Sequence, residues 1–136
     1  MIHESTFRVL YAHTDKAGVV YYGNYLQFFE SARSEHLRAL GKTYAEFEKD
    51  GIILAVTEAH LRYLGPAFYD DLLTVRAWVS RVRRTRVDYR YEVLNPQGEV
   101  ICTGFTTLGC LDATTMRPRA LPEDMMQQVA GCVVPD

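Results

Sequence analysis

Cysteine is scarce in this chain, and its placement excludes several classes of protein. Cys102, Cys110 and Cys132 are odd in number and stand at none of the paired spacings that hold zinc. Each reads as a small buried hydrophobe. The opening "MIHESTFRVLYAHTD" lacks a basic region followed by an apolar run, so no secretory signal is expected. Reduced thiols in a cytoplasmic protein follow as the expectation. Histidine is equally thin. His3, His13, His36 and His60 form neither an HxH nor an HExxH pattern, and no metal is expected. No apolar run approaches the length of a membrane span. An excess of one charge is missing too: the net charge of −2 gives no whole-protein case for nucleic acid or an anionic membrane. No repeat, low-complexity tract or linker interrupts the 136 residues, so a single domain over 1–136 with one sizeable core is expected.

What the chain does have is patterning. "STFRVLYA" alternates, with Phe7, Val9 and Tyr11 on one side, and predicts a first strand. From Asn24 the period changes: Tyr25, Phe28, Phe29, Ala32, His36 and Leu40 share one helical face, with Asn24 as the N-cap and Gly41 as the stop. "TYAEFEKDG" adds a further helical turn or two. "IILAVTEAHLRYL" is a long β-prone run. Strict alternation puts Ile53, Ala55, Thr57, Ala59, Leu61 and Tyr63 on one face, and Ile52, Leu54 and Val56 on a second that calls for burial against something else. Leu73 to Val79 and Val87 to Val93 alternate, "NPQG" marks a hairpin turn, and Val100 to Leu111 makes a last long strand. A short helix closes the tail. One long apolar helix among that many strands needs a sheet wrapped around it, which is an α+β arrangement.

The stretch "YAHTDKAGVVYYGNYLQFFESAR" carries the chemistry. It resembles the hot-dog-fold acyl-CoA thioesterases, above all the 4-hydroxybenzoyl-CoA thioesterase branch and its YbgC-like relatives. Their pattern D-x-x-G-[VI]-V-x-Y-x-x-Y is matched by Asp15, Gly18, Val19, Val20, Tyr22 and Tyr25. The late segment "MRPRALPEDM" is similar to the YbgC-like C-terminal region. The resemblance implies a central α-helix gripped by a five-stranded antiparallel sheet. It also implies subunits that pair as a homodimer or a dimer-of-dimers tetramer, with active sites at the subunit interface.

Thioester hydrolysis needs a nucleophile or general base, donors for the developing oxyanion, and a grip on the thiol carrier. Asp15 is the only acid in its loop, and the family pattern makes that carboxylate either the attacking group or the activator of water. The helix start offers unpaired N–H groups near Tyr22 and Gly23, with the positive end of the helix dipole behind them. Gly18 would let the backbone approach the substrate, and Val19 and Val20 would supply a dry wall. Taken alone, Asp15 is more often a turn residue. Glu30 is a second candidate acid, read instead as a polar helix-edge residue beside Arg33 or Ser34. His13 is expected to meet solvent. The acyl pocket draws, by the resemblance, on Ala55, Val56 and Thr57, where the strand passes the helix of the partner subunit.

"SRVRRTRVDYR" places five of the fifteen basic residues, Arg81, Arg83, Arg84, Arg86 and Arg90, within one hairpin. Charge runs are usually solvated faces. Coenzyme A nevertheless carries a pyrophosphate and a 3′-phosphate, which arginine forks bind well. The resemblance carries nucleotide contact onto Arg83, Arg84 and Thr85, where threonine replaces a basic residue, and onto Arg119 with Arg117. The expected activity is acyl-CoA thioester hydrolysis without metal or organic cofactor. An acyl carrier protein as thiol carrier, and a hot-dog protein that binds acyl-CoA without turnover, are the alternatives. A nucleic-acid module would need more positive charge and exposed aromatics among the arginines.

Overall fold

The structure, a computed structural model, describes residues 1–136. Five antiparallel strands form one sheet in the order β1-β3-β4-β5-β2, with β1 at His3–Arg8, β2 at Ile52–Tyr63, β3 at Leu72–Val82, β4 at Arg86–Leu94 and β5 at Val100–Asp112. Helix α1, Tyr25–Leu40, lies across the sheet, α2 is Tyr44–Lys49 and α3 is Glu123–Ala130. No helix is long and apolar enough to cross a membrane.

The alternation in β3 and β4 puts Val75, Ala77, Val79, Val87, Tyr89, Tyr91 and Val93 on the face that α1 covers, all of them buried. Tyr25, Phe28, Phe29, Ala32, His36 and Leu37 are the buried face of α1. Phe29 stacks flat on Tyr91 with ring centroids 4.1 Å apart. That contact depends on Gly104: a Cβ there would stand 2.7 Å from the Phe29 ring and 2.6 Å from the His60 carbonyl. Removing the Phe29 ring would cost about 3–5 kcal/mol.

Departures from simple alternation in β1 and β2 bear on the site. β1 ends at Arg8; Val9 is fully buried, but Tyr11 turns out in a short 3-10 turn, 73% exposed, and stacks on Tyr69 at 3.8 Å. In β2 the register against β5 shifts between Val56 and Glu58, so Thr57 is an extra residue, a β-bulge. Ile52, Leu54 and Val56 pair with Asp112, Cys110 and Leu108 before it, and Ala59, Leu61 and Tyr63 pair with Thr106, Gly104 and Cys102 after it. Cross-strand partners share a face, so both sets point toward α1. The expected second apolar face is therefore the core face, read one residue out of phase.

β2 is also a sheet edge. Its outer N–H at Leu54 is taken by the Tyr44 hydroxyl at 3.1 Å. From Ala55 to Tyr63 that edge has no neighbouring strand.

Candidate active site

Asp15 sits in a small hairpin between β1 and α1. Its N–H donates to the Val19 carbonyl and its carbonyl accepts from Gly18 N–H, both at 2.9 Å, while Thr14 and Val20 bridge across. Gly18 closes the turn at φ +83, the left-handed region that glycine enters without strain. A Cβ on it would meet no other atom of the chain, so its conformation is by itself enough to call for glycine. Asp15 Oδ1 accepts from Ala17 N–H at 2.9 Å, an Asx-turn that fixes the carboxylate. The second carboxylate oxygen has no partner in the chain, and the residue is exposed. The turn therefore occupies one oxygen and leaves the other free.

The far side of the hairpin is stitched to the β2–β3 connection: Val20 N–H donates to Ala67, and Val19 bridges to Phe68. Asp15, Val19, Val20, Tyr22, Tyr25, Tyr63, Gly65 and Pro66 line an open cavity of about 220 Å³. Tyr63 and Pro66 could be read in the sequence only as a strand end and a breaker. The Tyr63 hydroxyl donates to the Tyr22 carbonyl at 3.0 Å. Burial, then Cys102 and Tyr63, push the Tyr25 phenol up to about 12, so it stays protonated at neutral pH. The Tyr21 phenol is also raised, chiefly by the adjacent Tyr22 hydroxyl, with the Asp15 carboxylate adding to it.

The helix start has an unusual polarity. A 3-10 turn, Tyr22–Asn24, runs directly into α1, with Tyr21 in the extended N-cap position and no side chain capping it. The N–H groups of Tyr22 and Gly23 make no hydrogen bond within the chain. Asn24 is not the expected cap. Its backbone is already helical, and its side-chain amide donates instead to the His13 carbonyl at 2.7 Å. Gly23 is required sterically, since a Cβ would stand 2.9 Å from the Tyr21 ring. His13 Nδ1 accepts from Leu10 N–H, and its ring lies edge-on to Phe28.

The other expected site residues lie elsewhere. Ala55 pairs with Gly109, and Gly109 pairs with Arg86, so Ala55, Val56 and Thr57 sit toward the β3–β4 hairpin. Thr85 and Arg84 carbonyls accept from Cys110 and Leu121 N–H groups, and Arg119 N–H donates to Cys110. Arg84, Thr85, Arg117 and Arg119 thus collect at one end of the sheet. Arg83 does not present a free fork: Asp88 holds it at 2.6 Å, and its Nε is buried without a partner. Between this end and the Asp15 end runs β3, 11 residues long, a span of roughly 33 Å. Within one chain, Asp15 and the arginines cannot touch the same small substrate atom.

Glu30 makes neither hydrogen bond nor ion pair, with Arg33, Ser34 or any other residue. With Arg33, Ser34, Leu37, Tyr44, Leu54 and Leu108 it lines a separate, more enclosed cavity of about 110 Å³ between α1, α2 and the sheet.

A helix laid across a five-stranded antiparallel sheet, with an acidic hairpin at the helix start, defines the hot-dog class of fold. Residues 17–102 match the model of the thioesterase superfamily. The chain is similar to the acyl-CoA thioesterase YbgC of Haemophilus influenzae, 33% identical over 87% of each chain. It is also similar to the 1,4-dihydroxy-2-naphthoyl-CoA hydrolase of Thermosynechococcus vestitus, 31% identical over 86% of this chain and 81% of that one. The solved DHNA-CoA thioesterase of Staphylococcus aureus superposes with a TM-score of 0.93 at 37% identity, covering 96% of this chain and 89% of that one. The chain belongs to the thioesterase superfamily and is a thioester hydrolase.

Proposed function

We propose that this protein hydrolyses acyl-CoA thioesters with Asp15 as the reacting carboxylate. One observation carries the reading: a carboxylate with one oxygen tied down and the other free shares its cavity with a helix start whose first two N–H groups are unpaired. In one route the free oxygen attacks the thioester carbon, the C–S bond breaks, the thiolate leaves and takes a proton, and water then cleaves the mixed anhydride. In the other, Asp15 takes a proton from water as the hydroxyl adds to that carbon, and collapse expels the thiolate, which recovers the proton. The Tyr22 and Gly23 N–H groups are the donors for the oxyanion in both.

The carrier is gripped by arginines from a second copy. The open β2 edge from Ala55 to Tyr63, paired antiparallel with itself about Ala59, sets Ala55 against Tyr63 of the partner subunit. That brings the Arg84 and Arg119 end of one copy to the Asp15 end of the other, and reconciles the two clusters. Arg84, Arg119 and, at the rim, Arg117 then face the phosphates. Val56, 48% exposed, is left to meet the acyl group. Dimer or tetramer, cytoplasmic and without cofactor, is the setting this reading gives.

The acyl group is a short aliphatic chain or an aromatic ring, and relatives named above act on acyl-CoA and on dihydroxynaphthoyl-CoA. Thiol release from a panel of short, long and aromatic acyl-CoAs, with wild type and Asp15→Asn side by side, tests the proposal. The expected result is cleavage of some member and a loss of at least ~100-fold in the variant. Binding without cleavage across the panel sinks the acyl-CoA reading and moves the test to acyl carrier protein thioesters.

A further inference from the structure

We infer that Asn24 is a positioning residue, which holds the Asp15 hairpin against the start of α1. The inference rests on Asp15 as the reacting group. The His13 carbonyl stands at the base of the hairpin and accepts twice, from Tyr21 N–H at 2.8 Å and from the Asn24 side chain at 2.7 Å. The first bond closes the hairpin. The second is the one side-chain hydrogen bond between the hairpin and the 3-10 turn that leads into α1. A carbonyl only accepts, so the amide nitrogen of Asn24 must face it. Asparagine before a helix commonly caps by accepting from N–H groups two or three residues on; the Asn24 side chain instead reaches back to the hairpin. It ties down the turn whose Tyr22 and Gly23 N–H groups are unpaired. One side chain therefore sets where the carboxylate stands relative to those two donors. A displacement of about 1 Å at a reacting group costs on the order of 100-fold in rate.

Asn24→Asp keeps the shape, loses the donor, and sets an oxygen against the His13 carbonyl. A carboxylate near a helix N-terminus is itself favourable, so melting temperature should change little. On an acyl-CoA that wild type cleaves, the expected result is a kcat lower by about tenfold or more with KM within about threefold of wild type. The double variant Asp15→Asn/Asn24→Asp should be no slower than Asp15→Asn alone, because a residue that acts through Asp15 has nothing left to position. Asn24→Ala serves in the same cycle if Asn24→Asp does not fold, and Asn24→Gln, which keeps an amide donor, should recover part of the loss. Unchanged kcat in the Asn24 variants, or a double variant slowed by the full product of the single losses, overturns the inference while leaving the role of Asp15 standing. Wild-type turnover in Asp15→Asn would instead overturn the assignment of Asp15, and the positioning role with it.

Discussion

Of the four histidines, His36 is the one the fold has closed away. It is fully buried on α1, its Nδ1 lies 2.9 Å from the Tyr89 hydroxyl, and its Nε2 has no partner. Burial, with His3 and the N-terminal amine nearby, lowers its pKa from 6.5 to about 4. A group that is harder to protonate folded than unfolded takes up its proton preferentially in the unfolded chain between those two values. The stability it represents is complete above pH 6.5 and is lost progressively down to about pH 4. The full effect is on the order of 3 kcal/mol. Urea unfolding at pH 7.5 and pH 4.5 should show that loss in wild type and a smaller one in His36→Gln. Equal losses in both would place the acid sensitivity elsewhere. The sequence placed His36 on the buried face of α1 through its spacing from Phe29 and Ala32; its unmatched nitrogen has no signature in the sequence.

At the level of single elements, α1 is most informative where it begins. An N-cap side chain that accepts from the second helical N–H stabilises a helix by roughly 0.5–2 kcal/mol, and Tyr21 forgoes it. Tyr21→Asp supplies an acceptor for Gly23 N–H. Thermal unfolding should show a protein at least as stable as wild type, while kcat falls by about tenfold or more because a donor is occupied. Activity that survives intact would remove Gly23 N–H from the mechanism. The helix face, the core strands and the "NPQG" turn were legible because each is local periodicity or turn chemistry. The facing of β2 was not: a bulge is one added residue, and Thr57 looks like any other strand threonine. Tyr11 misled for the opposite reason, since it continues the alternation of β1 past the point where the ladder stops. The acidic loop was legible as a motif. The tether from Asn24 to His13 was not, because asparagine before a helix reads as a cap.

The whole molecule holds apart two groups of residues that the proposed reaction needs together. Asp15 and the arginines occupy opposite ends of one sheet, so the proposed site requires two chains. Asp15→Asn and Arg84→Ala/Arg119→Ala, each impaired alone, should complement when unfolded together and refolded as a mixture. Random pairing makes half the dimers mixed, each with one intact site, so activity near a quarter of wild type is expected. No recovery, with mixed dimers shown to be present by mass spectrometry, would mean that acid and arginines work within a single chain or that the arginines do not contact substrate.

The Tyr44 hydroxyl on Leu54 N–H bears on a different hazard. A sheet with two free edges has the raw material of a fibre, since the β1 edge of each molecule could be laid on the β2 edge of the next without end. β1 is 6 residues long against 12 in β2, and it carries Glu4 tied to Arg76. The tyrosine plugs the β2 template at one end, so a neighbour in the wrong orientation finds a truncated ladder. In the proposed pairing the remaining edge is matched to itself, and that edge is closed after two chains. On that reading a single phenol narrows the ways in which the edge can be extended.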